Sequence, residues 1–127
     1  MRIGELASRT GVSVRSLRYY EEQGLLASRR SAGGQRYYKD SDVGRIEFIQ
    51  QLYAAGLSSR VVAALLPCRD APSEEHSDAA LERMAQERER LTQHIAELVR
   101  TRDTLDEVMA VAREYREQLG RTAVDAA

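Results

Sequence analysis

Apolar residues recur every three or four positions in the first part of the chain, which predicts short amphipathic helices. A first helix is predicted over residues 2–10, and Gly11 is placed to end it. Ser13 is a suitable N-cap for a second helix, which ends at Gly24. Two short helices joined by a turn that contains glycine form a helix-turn-helix.

The second helix has two different faces. Val14, Leu17 and either Tyr20 or Glu21 follow the spacing of a side turned toward a core. The opposite side presents arginine, tyrosine and glutamate side chains, namely Arg15, Arg18, Tyr19 and Glu22. The pattern therefore predicts different roles for the two adjacent tyrosines, with Tyr20 in the core and Tyr19 presented.

Turn residues after Gly24 predict a small β-hairpin. An extended run begins at Leu25, and residues 36–38 favour a returning strand. Between them, Gly33 and Gly34 tolerate the positive φ of a tight turn and let a backbone approach a phosphate closely. The pattern predicts a wing beside the helix-turn-helix.

Two further helices complete the front of the chain. The third opens with the capping residues Asp40 and Ser41 and carries apolar residues at helical spacing. The fourth is short and is capped by Ser58 or Ser59. Pro67 prevents its smooth continuation, because proline lacks the backbone N–H and clashes with the preceding turn.

The second half of the chain predicts one long helix with a heptad seam. Neither proline nor glycine occurs between Ser77 and Leu119, so a helix of about 40 residues, roughly 60 Å long, is possible. Twelve positions alternate steps of three and four without a break, which is typical of a coiled coil. They are Leu81, Met84, Arg88, Leu91, Ile95, Leu98, Arg102, Leu105, Met109, Ala112, Arg116 and Leu119.

The seam indicates pairing with a second copy of the chain. The alternative is a helix that folds back on its own domain, but a domain of about 70 residues is too small to cover it. We assign dimerisation to the seam residues Leu81, Met84, Leu91, Ile95, Leu98, Leu105, Met109 and Ala112. The seam arginines weaken a simple parallel zipper unless they snorkel or meet an acid, and an alternative role for them is to set register or orientation.

These elements define a mainly α fold. A winged helix-turn-helix domain is predicted over residues 1–70, a linker over residues 71–76, a coiled-coil dimerisation helix over residues 77–119 and a flexible tail over residues 120–127. The chain has no apolar run of about 18 residues and no secretory signal at its start. We therefore predict a cytoplasmic protein without membrane contact.

Charge is divided unevenly between the two parts of the chain. Residues 1–66 contain ten basic and six acidic residues, whereas residues 67–127 contain nine basic and fourteen acidic residues. The front part is where a polyanion would dock, although a net charge of this size also occurs on ordinary protein surfaces.

The sequence contains no recognisable catalytic or metal-binding pattern. Phosphate-loop, HExxH and GxSxG motifs are absent. His76 lies in the predicted linker and His94 at a heptad position that is usually exposed, so we interpret both as surface histidines. The single cysteine, Cys68, can form neither an intramolecular disulfide nor a thiolate cluster. We predict no enzymatic activity, no metal and no cofactor.

The presented side of the second helix has the chemistry of a DNA-reading surface. Arginine donates several hydrogen bonds to phosphate oxygens and guanine edges, and tyrosine offers a hydroxyl to phosphate and a flat ring to sugar. A structural interpretation pairs Arg18 with Glu22 one turn along the helix. Both interpretations can hold, because a paired arginine can still face a phosphate.

The chain resembles the MerR family of bacterial transcription regulators across nearly its whole length, and two segments carry the motifs of this resemblance. They are "IGELASRTGVSVRSLRYYEEQGLL" and "GGQRYYKDSDVGRIEFIQQLYAAGLSSRVVAALL". The shared features are the RYYE core of the second helix, the GLL exit, the G-x-R-x-Y wing, the D-V start of the third helix and the G-L-S step into the fourth. The long helix also lies where the family has its dimerisation coil, which the resemblance implies is antiparallel.

The resemblance implies which residues contact DNA. The second helix would enter the major groove, and the homodimer would bind a pseudo-palindrome with one half-site per subunit. DNA contacts are then expected from Ser13, Arg15, Ser16, Arg18 and Tyr19 of the helix and from Gly34, Arg36 and Tyr37 of the wing. The implied partners are double-stranded promoter DNA and RNA polymerase, and the implied mechanism is distortion of an overlong promoter spacer.

The chain departs from its relatives where they bind effectors. Metal-sensing and redox members carry cysteines near the end of the long helix, where this chain has none, and we expect no large drug pocket such as multidrug members have. Some members sense electrophiles with a lone cysteine. At Cys68 the neighbouring Arg69 favours the reactive thiolate and Asp70 opposes it. We hypothesise a thiol sensor at Cys68, with a passive linker cysteine as the alternative.

We therefore predict a homodimeric, DNA-binding transcription regulator. The first alternative is an architectural DNA-bending protein of the excisionase type without a direct role in transcription. The long helix argues against it, because small excisionases generally lack a long dimerisation helix. The second alternative is a coiled-coil interaction protein whose winged domain binds another protein.

Overall fold

The computed structural model describes residues 1–126, and within them the chain forms six helices and two short strands. These are α1 (Ile3–Thr10), α2 (Val14–Glu22), β1 (Arg29–Arg30), β2 (Arg36–Tyr37), α3 (Asp42–Ala54), α4 (Ser59–Leu65), α5 (Pro67–Asp70) and α6 (Glu74–Ala126). The chain divides into two units, Met1–Met84 and a second unit that begins at Ala85. The predicted mainly α fold, with a winged helix-turn-helix and a long helix, is confirmed.

The turn between α1 and α2 forms as the local sequence predicts. Gly11 has a φ of 73°, and its N–H donates to the carbonyl of Ala7, which closes α1. The side chain of Ser13 accepts a hydrogen bond from the N–H of Ser16 and so caps α2. The predicted helix-turn-helix is confirmed.

An apolar core holds the first unit together. The fully buried side chains come from α1, α2, α3, α4 and the segment after α2: Leu6, Leu17, Leu25, Ile46, Ile49, Val62 and Leu65. Burial of each such side chain contributes about 1.5–3 kcal/mol. Tyr20 is also buried and stacks on Tyr53 of α3, with ring centroids 5.7 Å apart. The core therefore fixes which side of α2 turns inward.

The start of α3 differs from the prediction. The side chain of Ser41 forms no capping hydrogen bond, and Asp40 is exposed and pairs with Arg9 at 3.2 Å. Instead, a carboxylate oxygen of Asp42 accepts a hydrogen bond from the N–H of Lys39 at 2.9 Å. The side chain of Asp42 is buried, and a buried carboxylate requires a hydrogen-bond donor, which the N–H of Lys39 provides.

The long helix α6 exceeds its predicted bounds at both ends. It begins at Glu74 because Ser73 accepts a hydrogen bond from the N–H of His76 at 3.0 Å, so residues 71–73 alone separate α5 from α6. It then continues through Gly120 to Ala126. A glycine inside a helix costs about 1 kcal/mol relative to alanine, which weakens a helix without ending it. The tail predicted to be flexible is therefore helical over residues 120–126, and Ala127 lies outside the described residues.

Candidate nucleic-acid interface

One side of α2 is exposed and carries the predicted helix contacts. Arg15 and Arg18 are exposed, and Tyr19 exposes 44% of its surface. Leu17 and Tyr20, on the other side, are buried. Since the core holds the inward side, the arginines are presented on a helix whose orientation is fixed. Positioned arginines of this kind suit phosphate oxygens and base edges.

The two serines of this surface have a structural role at the helix start. Ser13 is exposed, Ser16 is half-buried, and the two hydroxyl oxygens lie 3.0 Å apart in a hydrogen bond. The oxygen of Ser13 also accepts the N–H of Ser16 at 3.1 Å. Both serines lie beside the exposed arginines, at the end of α2 that begins the helix.

The hydroxyl of Tyr19 is held by a residue from a distant part of the chain. It lies 3.0 Å from the Ser59 oxygen, which in turn lies 2.6 Å from the hydroxyl of Tyr53. Ser59 thereby joins α2 and α3 to the first turn of α4. Sequence reasoning missed Ser59 and Tyr53, because nothing in the local pattern of α2 indicates a contact 40 positions away.

The wing is a two-stranded antiparallel hairpin in which Arg30 lies opposite Arg36. Gly34 has a φ of 80° in the turn, so the predicted need for glycine is confirmed at this position. The guanidinium of Arg30 donates to the carbonyl of Gly34 at 2.9 Å and ties the turn to the first strand. Arg36 and Tyr37 are exposed on the second strand.

Glu21 connects the wing to α2. One of its carboxylate oxygens lies 3.4 Å from the guanidinium of Arg36, and the other accepts a hydrogen bond from the hydroxyl of Tyr38. Tyr38 is buried, and this burial, together with the hydrogen bond to Glu21, raises the pKa of Tyr38 to about 12. The tyrosine therefore stays protonated and keeps donating to Glu21 throughout the physiological range. The helical spacing allows Glu21 on the inward side of α2 but does not indicate this role.

We expect Glu21→Ala to lower the free energy of unfolding by about 1–3 kcal/mol, because it leaves the buried hydroxyl of Tyr38 without an acceptor. Urea unfolding followed by circular dichroism measures this change. The double variant Glu21→Ala with Tyr38→Phe should recover most of the loss, since it removes both partners of the hydrogen bond. Equal stability of the single and double variants would show that the loss does not come from a Tyr38 hydroxyl left without an acceptor.

The long helix α6 presents the predicted seam. Large apolar seam side chains expose 40–64% of their surface in the single chain: Leu81, Leu91, Ile95, Leu98, Leu105, Met109 and Leu119. Ala112 is exposed as well. Met84 differs, because it is partly buried against the core of the first unit, to which Leu81 also belongs. An apolar stripe of this length on one helix is typical of an interaction surface.

Cys68 lies in α5 and is half-buried. Its thiol donates to the carbonyl of Leu65 at 2.9 Å, and its side chain packs against the apolar core. Within residues 1–126, no group of three or more His, Cys, Asp or Glu side chains is arranged to hold a metal ion. Among these same residues, no helix is long and apolar enough to cross a membrane.

A helix-turn-helix with two exposed arginines on its second helix, and a basic wing fixed beside that helix, defines a winged-helix DNA-binding protein. Residues 1–67 match the family described as "MerR HTH family regulatory protein", and residues 43–108 match "MerR, DNA binding". The chain therefore belongs to the MerR family of DNA-binding transcription regulators.

Individual proteins agree with this assignment. An HTH-type transcriptional activator SoxR homolog of Chromobacterium violaceum is 40% identical over 106 residues, which cover 82% of this chain and 70% of the relative. A MerR family transcriptional regulator from Listeria monocytogenes, whose structure is solved, is 26% identical in sequence. The match covers 100% of this chain and 99% of the Listeria chain, with a TM-score of 0.66. HiNmlR, a MerR family regulator lacking the sensor domain and solved bound to promoter DNA, is 25% identical, with 81% and 78% coverage and a TM-score of 0.58. These relatives are regulators, which is a non-enzymatic role.

Proposed function

We propose that the chain binds a pseudo-palindromic promoter operator as a homodimer, with α2 of each protomer in a major groove. The observation that carries this proposal is the exposed pair Arg15 and Arg18 on a helix whose other side is locked into the core. The wing supports it, because Glu21 fixes Arg36 beside the same helix. The predicted contacts from Ser13, Ser16, Tyr19, Gly34 and Tyr37 complete this interface.

We further propose that binding distorts the promoter spacer and so changes how RNA polymerase uses the promoter. Bending or untwisting a short duplex costs a few kcal/mol, which phosphate contacts made on the distorted DNA can offset. The wing is suited to such contacts, because both of its strands are held in place. Arg30 of β1 bonds to the turn, and Arg36 of β2 and the following Tyr38 both contact Glu21 of α2. Action at a promoter also makes the cytoplasm the expected compartment.

Family membership favours a transcription regulator over the architectural DNA-bending protein and over the protein-binding coiled coil. The experiment that tests the proposal is footprinting on the DNA upstream of the chain's own gene, followed by transcription in vitro from that promoter. We expect a two-fold symmetric footprint within the promoter and a change in transcript level. Binding without any change in transcription would reject the regulatory proposal.

Operator binding should weaken steeply as salt rises. Arg15, Arg18 and Arg36 of two protomers provide about six phosphate or base contacts, and about six phosphate contacts correspond to a loss of about 10³-fold in affinity between 50 and 200 mM salt. Fluorescence anisotropy over a salt series measures the slope. Arg36→Ala should flatten the slope by about two contacts per dimer, whereas Arg100→Ala, a matched exposed arginine of the second unit, should leave it unchanged. A flat response in the parent protein would contradict the assigned interface.

We retain the thiol-sensor hypothesis for Cys68 as a proposal with a direct test. If Cys68 is a sensor, Cys68→Ser abolishes the response of transcription in vitro to oxidant or electrophile. Its half-burial and its hydrogen bond to the Leu65 carbonyl slow reagent access, so we expect a reaction slower than that of a free thiol. A response that persists in Cys68→Ser would exclude this residue as the sensor.

A further inference from the structure

We infer that Ser59 is a positioning residue for DNA binding: together with Tyr53 it orients the hydroxyl of Tyr19 so that this hydroxyl donates a hydrogen bond to a DNA phosphate. The inference rests on the proposed function, in which Tyr19 contacts the operator, and it adds two residues outside the helix-turn-helix that control this contact. It starts from two hydrogen bonds, Tyr19 to Ser59 at 3.0 Å and Ser59 to Tyr53 at 2.6 Å.

The three hydroxyls, which we call the hydroxyl relay, come from three helices and differ in exposure. Tyr19 of α2 exposes 44% of its surface, whereas Tyr53 of α3 and Ser59 of α4 are half-buried. The bond between Tyr19 and Ser59 is exposed, and the bond between Ser59 and Tyr53 is partly buried. The hydroxyl relay therefore leads outward to the exposed side of α2.

The protons of the hydroxyl relay leave one donor unused. Each hydroxyl has one proton to donate and can also accept, so three protons serve two hydrogen bonds. When Tyr53 donates to Ser59 and Ser59 donates to Tyr19, the proton of Tyr19 remains free at the exposed end. A DNA phosphate oxygen accepts hydrogen bonds, so a phosphate beside Tyr19 selects this direction.

Packing holds the inner part of the hydroxyl relay in place. The ring of Tyr53 stacks on the buried ring of Tyr20, and the side chain of Ser58 caps the first turn of α4, which contains Ser59. Because Tyr19 is bonded to these fixed groups, it loses less conformational entropy when it binds DNA. The hydrogen bond that Tyr19 accepts from Ser59 also polarises its hydroxyl and so strengthens the bond that it donates.

Positive charges flank the exposed end of the hydroxyl relay in the sequence. Arg18 precedes Tyr19, Arg60 follows Ser59, and both arginines are exposed. Exposed arginines attract the phosphate backbone of DNA, whatever its base sequence. The acceptor for the free proton of Tyr19 is therefore a phosphate.

Operator affinities of single and double variants test the inference. We expect Tyr19→Phe to weaken binding about tenfold, which is typical of losing one hydrogen bond to a charged group. Ser59→Ala should weaken binding about threefold, because the hydroxyl of Tyr19 remains but is no longer oriented. The double variant should lose about tenfold and not the product of about 30-fold, since Ser59 then has no hydroxyl to position. Fluorescence anisotropy with the full chain and the footprinted operator measures these affinities.

Two further serine variants separate the hydroxyl from other effects of substitution. Ser59→Thr keeps a hydroxyl at this position and should bind operator like the parent protein. Ser41→Ala removes the same group from an exposed serine that makes no capping hydrogen bond, and it should also leave affinity unchanged. Parental affinity in Ser59→Ala, or losses that multiply in the double variant, would overturn the role of Ser59.

The salt dependence of binding distinguishes positioning of Tyr19 from a general structural effect. A neutral hydroxyl releases no counterion from DNA, so Ser59→Ala should lower affinity by the same factor at every salt concentration. A changed salt slope in Ser59→Ala would show that the substitution displaces the arginines, and the positioning role would then be rejected.

Operators that carry a single methylphosphonate test whether the acceptor is a phosphate. This group replaces one charged phosphate oxygen by a methyl group, and it can be moved along each half-site in turn. At one position, the affinity that the parent protein loses should shrink in both Tyr19→Phe and Ser59→Ala but persist in Ser41→Ala. The absence of such a position would overturn the phosphate contact.

The parent protein and the arginine pair separate this inference from the proposed function. A parent protein that binds no operator would remove the proposed function, and the role of Ser59 with it. A parent protein that binds operator, and loses affinity when Arg15 and Arg18 are replaced but not in Ser59→Ala, would overturn the role of Ser59 alone and leave DNA binding through α2 standing.

Discussion

Replacing Arg15 and Arg18 together with alanine is expected to lower the affinity for operator DNA by at least about 30-fold. Each lost arginine contact to a base or phosphate costs about 1–3 kcal/mol, and about 1.4 kcal/mol corresponds to a tenfold change in affinity. Two lost contacts at the lower value give the bound of about 30-fold. A dimer that engages both half-sites loses four contacts and therefore more affinity. Fluorescence anisotropy with the footprinted operator, at fixed salt, measures the change.

The structure predicts that this loss occurs without unfolding. Both arginine side chains are exposed, so the melting temperature and helical circular dichroism should stay within the range of ordinary surface substitutions. Arg100→Ala removes an exposed arginine from the second unit and should leave operator affinity unchanged. Tyr19→Phe should cause a smaller loss than the arginine pair, because the hydroxyl it removes is bonded to Ser59 and the ring remains. Collapse of the helical signal in the arginine variant would make these residues structural.

The parts of the interface that local chemistry determines could be predicted from the sequence. Gly11 and Ser13 act within a few residues of themselves, and the structure has them in their predicted roles. The two faces of α2 follow from helical periodicity, which separates Leu17 from Arg18 whatever the rest of the fold does. These features needed no knowledge of distant contacts.

The links between elements could not be predicted in this way. Glu21 contacts Arg36 and Tyr38 across 15 and 17 positions, and several acids near the front of the chain had an equal claim to these partners. Ser59 was predicted only as a possible cap, but Ser58 caps α4 and leaves Ser59 free to meet Tyr19. Tertiary packing chose between adjacent residues that the local pattern could not distinguish.

The end of α6 also could not be predicted from the local sequence, because the glycine that indicated it is only a weak helix terminator. Glycine frequently ends a helix, but Gly120 inside α6 costs only about 1 kcal/mol of helix stability relative to alanine. Favourable interactions of neighbouring residues can offset this cost. Arg121 pairs with Glu117 at 3.5 Å across one turn, which supports the helix on both sides of the glycine. A single glycine without a following proline was therefore not sufficient to place the end of this helix.

The second large effect is expected from Ile95→Glu, which should convert the proposed homodimer to a monomer. Two isoleucines per dimer leave the seam, and at about 1.5–3 kcal/mol each their loss raises the dissociation constant at least about 100-fold. The introduced carboxylates add to this, because each would face an apolar layer without a counter-charge. Sedimentation equilibrium over a concentration series measures the dissociation constant.

Ala96→Glu is the matched control for this substitution. It adds the same charge at the next position, which is exposed and lies outside the seam, so the dimer should persist. Operator affinity should fall when the dimer dissociates. In a dimer the second winged domain binds its half-site at a high effective concentration, and loss of this linkage lowers the affinity by about 10²–10⁴-fold. A monomeric Ile95→Glu that kept full operator affinity would show that one winged domain is sufficient for binding. A dimeric Ile95→Glu would show that the exposed apolar stripe of α6 serves another partner.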